Sequence, residues 1–258
     1  MRQLKLIITI LFLLLAISAC SEDNPVENEA ADPAEGLTKI AEYSFSDTLA
    51  TLYTDAEIET GYCKFYLKLT KVSDNSPIEN AAVSMKTLMD MGTMKHSSPM
   101  ENPASNHAVN GLFECAAVFI MSGMWEVTFV INEGSEFTTS LDVSATERVR
   151  NIVGSDDKTY FVTLIEPMKP LVGMNDFEVC VHQRESMTSF PAVEDVNIVM
   201  TPSMPSMGHG SPNNENPVHK QNGHYLGKVN FTMTGDWLVE LYLSRADSLL
   251  VTSFDITL

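Results

Sequence analysis

The chain contains an internal repeat, and this repeat limits the fold more than any other feature of the sequence. Residues 121–127 (MSGMWEV) recur 112 residues later as residues 233–239 (MTGDWLV), and these two segments hold the only two tryptophans. Four further blocks match in the same order, at offsets between 112 and 115 residues. A repeat unit of this length is an ordinary domain size. The sequence therefore predicts two homologous domains, residues 37–147 and 148–258.

The repeated segments have the pattern of β-strands. Residues 63–69 (CKFYLKL) and 113–119 (FECAAVF) alternate with period two, as expected for strands with one buried face. The row Trp125, Val127, Phe129 and Ile131 recurs at matched positions of the second repeat. Turn-forming Asn-Gly, Ser-Asp and Asn-Ser-Pro segments separate the runs. We expect an all-β fold with two tandem antiparallel β-sandwich domains of about seven strands each.

The N-terminus has the features of a bacterial export signal. A basic start precedes an apolar run, residues 6–17, that is too short to span a bilayer. The sequence Ile-Ser-Ala-Cys that ends at Cys20 resembles a lipobox, which implies a signal peptide over residues 1–19 and lipidation of Cys20. An ordinary signal peptide with an incidental cysteine is the alternative.

The residues after Cys20 predict a lipidated acidic tether. Residues 20–36 are rich in Glu, Asp, Asn, Pro and Ala and have almost nothing to bury, so we expect them to be disordered. Residues 21–24 (SEDN) resemble the acidic tag that directs many Bacteroidota lipoproteins to the cell surface. We therefore expect a lipid-anchored protein of the bacterial outer membrane that is exposed at the surface, with a periplasm-facing protein as the alternative.

The charge balance excludes one class of partner. The chain has 34 acidic and 16 basic residues and a formal net charge of −18. Binding to a nucleic-acid backbone needs clustered Lys and Arg, so we expect no nucleic-acid partner. The same balance disfavours electrostatic docking on anionic lipid, which leaves the lipid anchor as the expected link to the membrane.

Methionine and histidine are concentrated in one block of each repeat. Residues 91–99 (MGTMKHSSP) match residues 204–212 (MPSMGHGSP), and a second histidine follows each block, three residues before the Asn-Gly turn. Thioethers are soft ligands that suit Cu(I), and imidazole suits both copper oxidation states. The candidate metal ligands are Met91, Met94, His96 and His107 in the first domain and Met204, Met207, His209 and His219 in the second.

Packing is the alternative interpretation of these methionines. Methionine is a flexible filler of hydrophobic cores, and a Met-rich loop also suits protein contacts. Met85, Met121, Met200 and Met233 lie at aligned strand positions, so we expect them to pack in the cores. His182 and His224 have no matched counterpart, which predicts surface or packing roles for both.

Several of these motifs together resemble a known family. The order Pro-x-x-x-Ala-x-Val, Met-Pro-x-Met-x-His, Asn-Gly-x-Tyr and Met-x-Gly-x-Trp-x-Val is similar to that of the YtkA-like domain, which is related to FixH-type proteins. The second domain carries the last three motifs almost complete, whereas the first has Gly92, Lys95 and Phe113 at positions where the pattern has Pro, Gly and Tyr. The resemblance implies an immunoglobulin-like sandwich outside the cytoplasm, in a family often linked to copper handling or oxidase assembly.

Three cysteines follow Cys20. Cys63 and Cys115 both lie on the inward phase of first-domain strands, where they form either a disulfide across the sandwich or two buried thiols. Cys180 has no partner in its domain, so we expect a buried thiol. The chain has no Cys-x-x-Cys, Gly-x-Ser-x-Gly, His-Glu-x-x-His or P-loop motif, and we predict no enzyme activity.

Two functional hypotheses follow. The first is an envelope lipoprotein that binds copper, expected as Cu(I), for sequestration or for exchange with a copper donor or acceptor protein. The second is a non-catalytic structural or protein-binding module at the cell surface. An assembly factor for a surface transporter or an oxidase is a third interpretation.

Overall fold

The structure is a computed structural model that describes residues 32–246 and 248–258. The predicted signal peptide, the lipidation site Cys20 and residues 20–31 of the predicted tether lie outside the described residues. Within the described ranges no helix has the length and apolar character that a membrane crossing requires.

Nine strands form the first half of the described chain, which we call the first sandwich. They are β1 (Thr38–Phe45), β2 (Thr48–Thr54), β3 (Gly61–Lys71), β4 (Val83–Asp90), β5 (Lys95–His96), β6 (Met100–Glu101), β7 (Phe113–Phe119), β8 (Gly123–Ile131) and β9 (Ser135–Val143).

Nine further strands and one short 3₁₀ turn, Pro205–Met207, form the second sandwich. The strands are β10 (Val149–Val153), β11 (Thr159–Glu166), β12 (Gly173–Gln183), β13 (Asn197–Met204), β14 (His209–Gly210), β15 (Glu215–Gln221), β16 (His224–Phe231), β17 (Asp236–Arg245) and β18 (Ser248–Thr257).

The two sandwiches have the same topology. In the first, a five-stranded sheet (β1-β2-β3-β7-β6) and a four-stranded sheet (β5-β4-β8-β9) are both antiparallel, and the second repeats this order as β10-β11-β12-β16-β15 and β14-β13-β17-β18. The predicted all-β fold of two tandem immunoglobulin-like sandwiches is confirmed. The predicted domain boundary lies in the connection between β9 and β10.

Each sandwich has its own core, built from alternate strand positions. Trp125 and Trp237 are completely buried and lie on the inward rows that the sequence predicts. Each indole N–H donates to a backbone carbonyl four residues earlier, at 3.0 Å to Met121 and 3.1 Å to Met233. Because a buried polar group without a partner is costly, these bonds allow a tryptophan at the end of each core.

Several strands are buried on both faces, which alternation within one sandwich does not explain. Ala116 and Val118 of β7 point away from the first core, and Phe161 and Cys180 point away from the second, yet all four side chains are buried. Val118 lies opposite Tyr62 in the sheet register, and the Tyr62 ring contacts His224 of the second sandwich at 5.3 Å between centroids. The outer faces of the two five-stranded sheets therefore cover each other.

We expect Val118→Ala to lower the free energy of unfolding by about 1–2 kcal/mol, because it removes buried methyl groups from the contact between the sandwiches. Val153→Ala is the matched control, since Val153 is 67% exposed and its truncation has little apolar burial to remove. Urea unfolding followed by tryptophan fluorescence measures both variants. Equal effects would contradict the burial of Val118 between the sandwiches.

Candidate functional site

The Met/His block of the second sandwich forms one rim of that sandwich. Strand β13 ends at Met204, the 3₁₀ turn begins at Pro205, and Gly208 takes a left-handed conformation with φ of 59° that turns the chain into β14. Met204 and His209 are directly opposed in the β13–β14 pair. Opposed residues of an antiparallel pair project from the same face, so the thioether and the imidazole are neighbours.

The donors of this second rim differ in exposure. Met204 is 2% exposed and belongs to the core, whereas Met207 at the tip of the turn is 62% exposed. His209 is exposed; its Nε2 lies 3.2 Å from Thr232 Oγ1, and its ring meets that of Trp237 edge-on with centroids 6.3 Å apart. The second rim thus places a buried thioether beside an exposed imidazole, with a second thioether in solvent.

The rim of the first sandwich has the same plan with a different methionine in the buried position. His96 is opposed to Met89, and both residues are buried. Met91 and Met94 are about half exposed at the tip, where the Met91 N–H donates to the Met94 carbonyl at 2.9 Å. Met89, not Met91, is therefore the counterpart of Met204.

A two-residue insertion in the first rim causes this shift. His96 follows Met89 by seven positions, whereas His209 follows Met204 by five. The sequence carries a signal for the correct match, because the buried strand methionines Met85 and Met89 have the same four-residue spacing as Met200 and Met204.

The structure does not bring the second histidines to the rims. His107 pairs with Asn80, which precedes the first residue of β4, and its Nδ1 lies 3.1 Å from Asn80 Oδ1. The first rim begins at the other end of β4, six residues after Val83 or about 20 Å away.

His219 lies equally far from the second rim. It is opposed to Tyr225 near the start of β16, whereas the second rim contacts Thr232 just after the end of this strand. Seven strand residues correspond to about 23 Å, so His219 does not join Met204 and His209.

The matched sequence ranges decide the family. The model of the YtkA-like family matches residues 46–130 and 155–242, which is more than half of the chain and one match in each sandwich. This chain belongs to the YtkA-like family. No curated protein matches it.

Solved structures with similar folds include several surface proteins. Domains 5–6 of the S-layer protein SbsC share 12% identity, with coverage of 86% of this chain and 97% of that one and a TM-score of 0.30. The Yersinia pseudotuberculosis adhesin InvE shares 11% identity, with coverage of 84% and 60% and a TM-score of 0.29. A conserved domain protein from Bacillus anthracis shares 10%, with coverage of 88% and 93% and a TM-score of 0.30. Likeness at this level does not bear on function.

The cysteines of the first YtkA-like domain are free thiols in the structure, and no disulfide crosses the sandwich. Cys63 and Cys115 lie on neighbouring strands of one sheet, where Cys63 is opposed to Ala117 and Cys115 to Phe65. This two-residue offset makes them diagonal neighbours, about 7–8 Å apart and farther than a disulfide usually spans. Burial raises the pKa of Cys63 to about 11 and that of Cys115 to about 12, so both stay protonated.

A polar cluster between the two YtkA-like domains is absent from the sequence-based predictions. His224 lies between two carboxylates, with Nε2 2.7 Å from Glu101 of the first domain and Nδ1 2.6 Å from Glu178 of its own. Burial alone would lower the pKa of His224, but the hydrogen bonds to both carboxylates outweigh it and raise this pKa to about 9. His224 is therefore not the surface or simple packing residue that we predicted.

His182 lies near this cluster, and its pKa is shifted in the opposite direction from that of His224. Its side chain is 3% exposed, its Nδ1 has no hydrogen-bond partner, and burial lowers its pKa to about 4. Its burial agrees with a packing role, and Glu101 of the first domain is close enough to influence its pKa. Among the described residues, no three His, Cys, Asp or Glu side chains form a group that could hold a metal ion.

Gly235 packs directly against Met204 of the second rim, because a Cβ built at this glycine would lie 2.7 Å from the Met204 methyl carbon. We expect Gly235→Ala to destabilise the protein by about 1 kcal/mol more than Gly173→Ala, measured by urea unfolding, because the Met204 methyl group must move within a packed core. Both glycines have positive φ, but a Cβ at Gly173 meets nothing within 4 Å, so this control isolates the contact with Met204. An equal loss in both variants would mean that Met204 does not pack firmly on Gly235.

Proposed function

We propose that this chain is a non-catalytic β-sandwich module displayed on the bacterial cell surface by a lipid anchor. Its membership of the YtkA-like family and its two sandwiches support the modular part of this proposal. The sequence around Cys20 and the acidic residues that follow it support the location. The module would act by binding or by structural support, and it would have no nucleic-acid partner because of its acidic charge.

The mutual burial of the two five-stranded sheets carries the proposal. Ala116, Val118 and Cys180 are buried although they point away from their own cores, so the two domains form one body rather than two independent units on a flexible linker. A fixed pair of sandwiches keeps the two Met/His rims and the remaining outer surfaces at constant relative positions. Such constancy suits a spacer or a binding platform.

Surface display predicts that a membrane-impermeant amine reagent labels the chain on intact cells of a Bacteroidota host. Exposed lysines such as Lys39 and Lys228 supply the reactive groups. Mass spectrometry of the recovered chain would detect the label, with a periplasmic protein as the negative control. Cys20→Ser should release the chain from the membrane fraction. Labelling that requires lysis would contradict surface display.

The second rim favours Cu(I) binding as a second candidate function. Met204 and His209 are neighbours on one face, and Met207 lies on the four-residue connection between them. Two thioethers and one imidazole form a soft, uncharged donor set that fits Cu(I) better than Mg²⁺, Ca²⁺ or Zn²⁺. In the first rim the corresponding donors would be Met89, Met94 and His96, with Met91 as an additional thioether. The sites would serve sequestration or exchange with a copper donor or acceptor protein.

If the second rim binds Cu(I), Met207→Leu and His209→Gln should each weaken binding by about tenfold or more, because each removes a ligand. Met174→Leu is the matched control, since Met174 is also half exposed but lies outside both rims. Titration of the purified full chain against a competing Cu(I) chelator measures the affinities. If all three variants retain the same affinity, the rim is not the binding site.

A further inference from the structure

The His224 cluster connects the two sandwiches through charge. Its three members come from three strands: Glu101 from β6, Glu178 from β12 and His224 from β16. The side chain of His224 is 11% exposed, and its two ring nitrogens face carboxylate oxygens at 2.7 and 2.6 Å. An ionised carboxylate only accepts hydrogen bonds, so both ring nitrogens must donate. Only the imidazolium carries two N–H groups, so it is the form of His224 that donates to two ionised carboxylates at once.

We propose that His224 is a pH-operated lock between the two domains. When protonated, it joins Glu101 of the first sandwich to Glu178 of the second through two charge-assisted hydrogen bonds. When it loses its proton, one ring nitrogen becomes an acceptor that faces a carboxylate, and two partly buried carboxylates remain on either side of the ring. This arrangement disfavours the contact and favours separation of the outer sheet faces.

The surroundings of His224 determine the direction of the pH response. The titratable groups that face it or lie close to it are Tyr62 on β3, Glu101 on β6, Cys180 and His182 on β12, and Glu178 on β12. Tyr62 donates its hydroxyl to Glu101 at 3.3 Å, and burial raises its pKa far above the normal range, so it stays neutral. Burial likewise keeps Cys180 neutral by raising its pKa. Of these titratable groups, His224 is then the one that carries a positive charge.

The lock has an alkaline limit. The pKa of His224 is about 9 in the closed form and about 6.5 when the group is free. Its contribution is therefore complete below pH 6.5 and is lost as the pH rises through about 9.

His182 adds an acid limit. Its pKa is about 4 in the closed form and about 6.5 when free, so the open form gains a proton first as the pH falls below 6.5. The closed form is accordingly most stable near pH 6.5, and its stability falls as the pH moves away from this value in either direction.

Cys180 provides a direct measure of opening. It is opposed to His224 in the sheet, points toward the first sandwich and is completely buried. Separation of the outer faces would expose it to a thiol reagent, whereas Cys63 and Cys115 lie in the first core and react only when that core unfolds. Mass spectrometry after brief alkylation of the full chain distinguishes these cysteines. Comparing variants at one pH cancels the pH dependence of the thiol reaction itself.

We expect Cys180 of the unmodified chain to be protected at pH 7.5 and alkylated above pH 9.5, while Cys63 and Cys115 stay protected. His224→Gln should speed Cys180 alkylation at pH 7.5 by at least about tenfold and reduce its further increase toward pH 10, because the charge that titrates is absent. Glu101→Gln removes the carboxylate of the first sandwich and should also expose Cys180, which provides a second test if His224→Gln does not fold.

Lys228→Gln is the matched control. Lys228 forms an exposed ion pair with Asp176 at 2.7 Å on the same two strands, away from the first sandwich. It should leave Cys180 protected. Equal protection in the His224→Gln and Lys228→Gln variants would overturn the proposal. So would exposure of Cys180 only together with Cys63 and Cys115, because that pattern indicates global unfolding.

Discussion

The packing of one five-stranded sheet against the other is the interaction on which the arrangement of this chain depends. Each sandwich already has a core of its own, closed by a buried tryptophan. The additional burial of Val118 and Cys180 on the outer faces joins the two cores into one body. Polar groups that would be solvated in a separate domain, such as His182 and His224, are enclosed by the same contact. The charged cluster at the interface is therefore a consequence of domain packing rather than of either domain alone.

The sequence was sufficient to predict the sandwiches, since their inner faces obey simple period-two alternation. Residues 125–131 and 237–243 alternate in the same phase, and the structure buries the predicted rows. The outer-face contact was not predicted, because alternation describes only the face that packs within the same domain. The available signal was a failure of alternation. Residues 116–119 (AAVF) and 179–182 (VCVH) are buried without a break, as in strands covered on both sides.

The rims show a second limit of sequence reasoning. Aligning the Met-x-x-Met-x-His motifs matches Met91 with Met204, but strand pairing matches Met89 with Met204. The insertion lengthens the exposed tip, where the Met-x-x-Met-x-His motif can shift along the chain without losing buried contacts. The buried methionine cannot shift in this way, because strand pairing places it opposite the histidine. The second histidines follow each motif closely in sequence, yet a strand and a turn carry each of them to the other end of its sandwich. For Cys63 and Cys115, alternation predicted the buried face correctly, but it did not predict that the two residues lie on neighbouring strands of one sheet.

The two five-stranded sheets have the same topology, but they contact each other through different positions. Ala116 and Val118 of the first sandwich lie at this contact, and their repeat counterparts Lys228 and Asn230 lie elsewhere on the second. At the position equivalent to Ala116, Lys228 forms an ion pair with Asp176, so the second sandwich carries charge where the first has a small apolar side chain. The same sheet position is thus buried in one repeat and partly exposed in the other, and two repeats of one topology have acquired different outer faces.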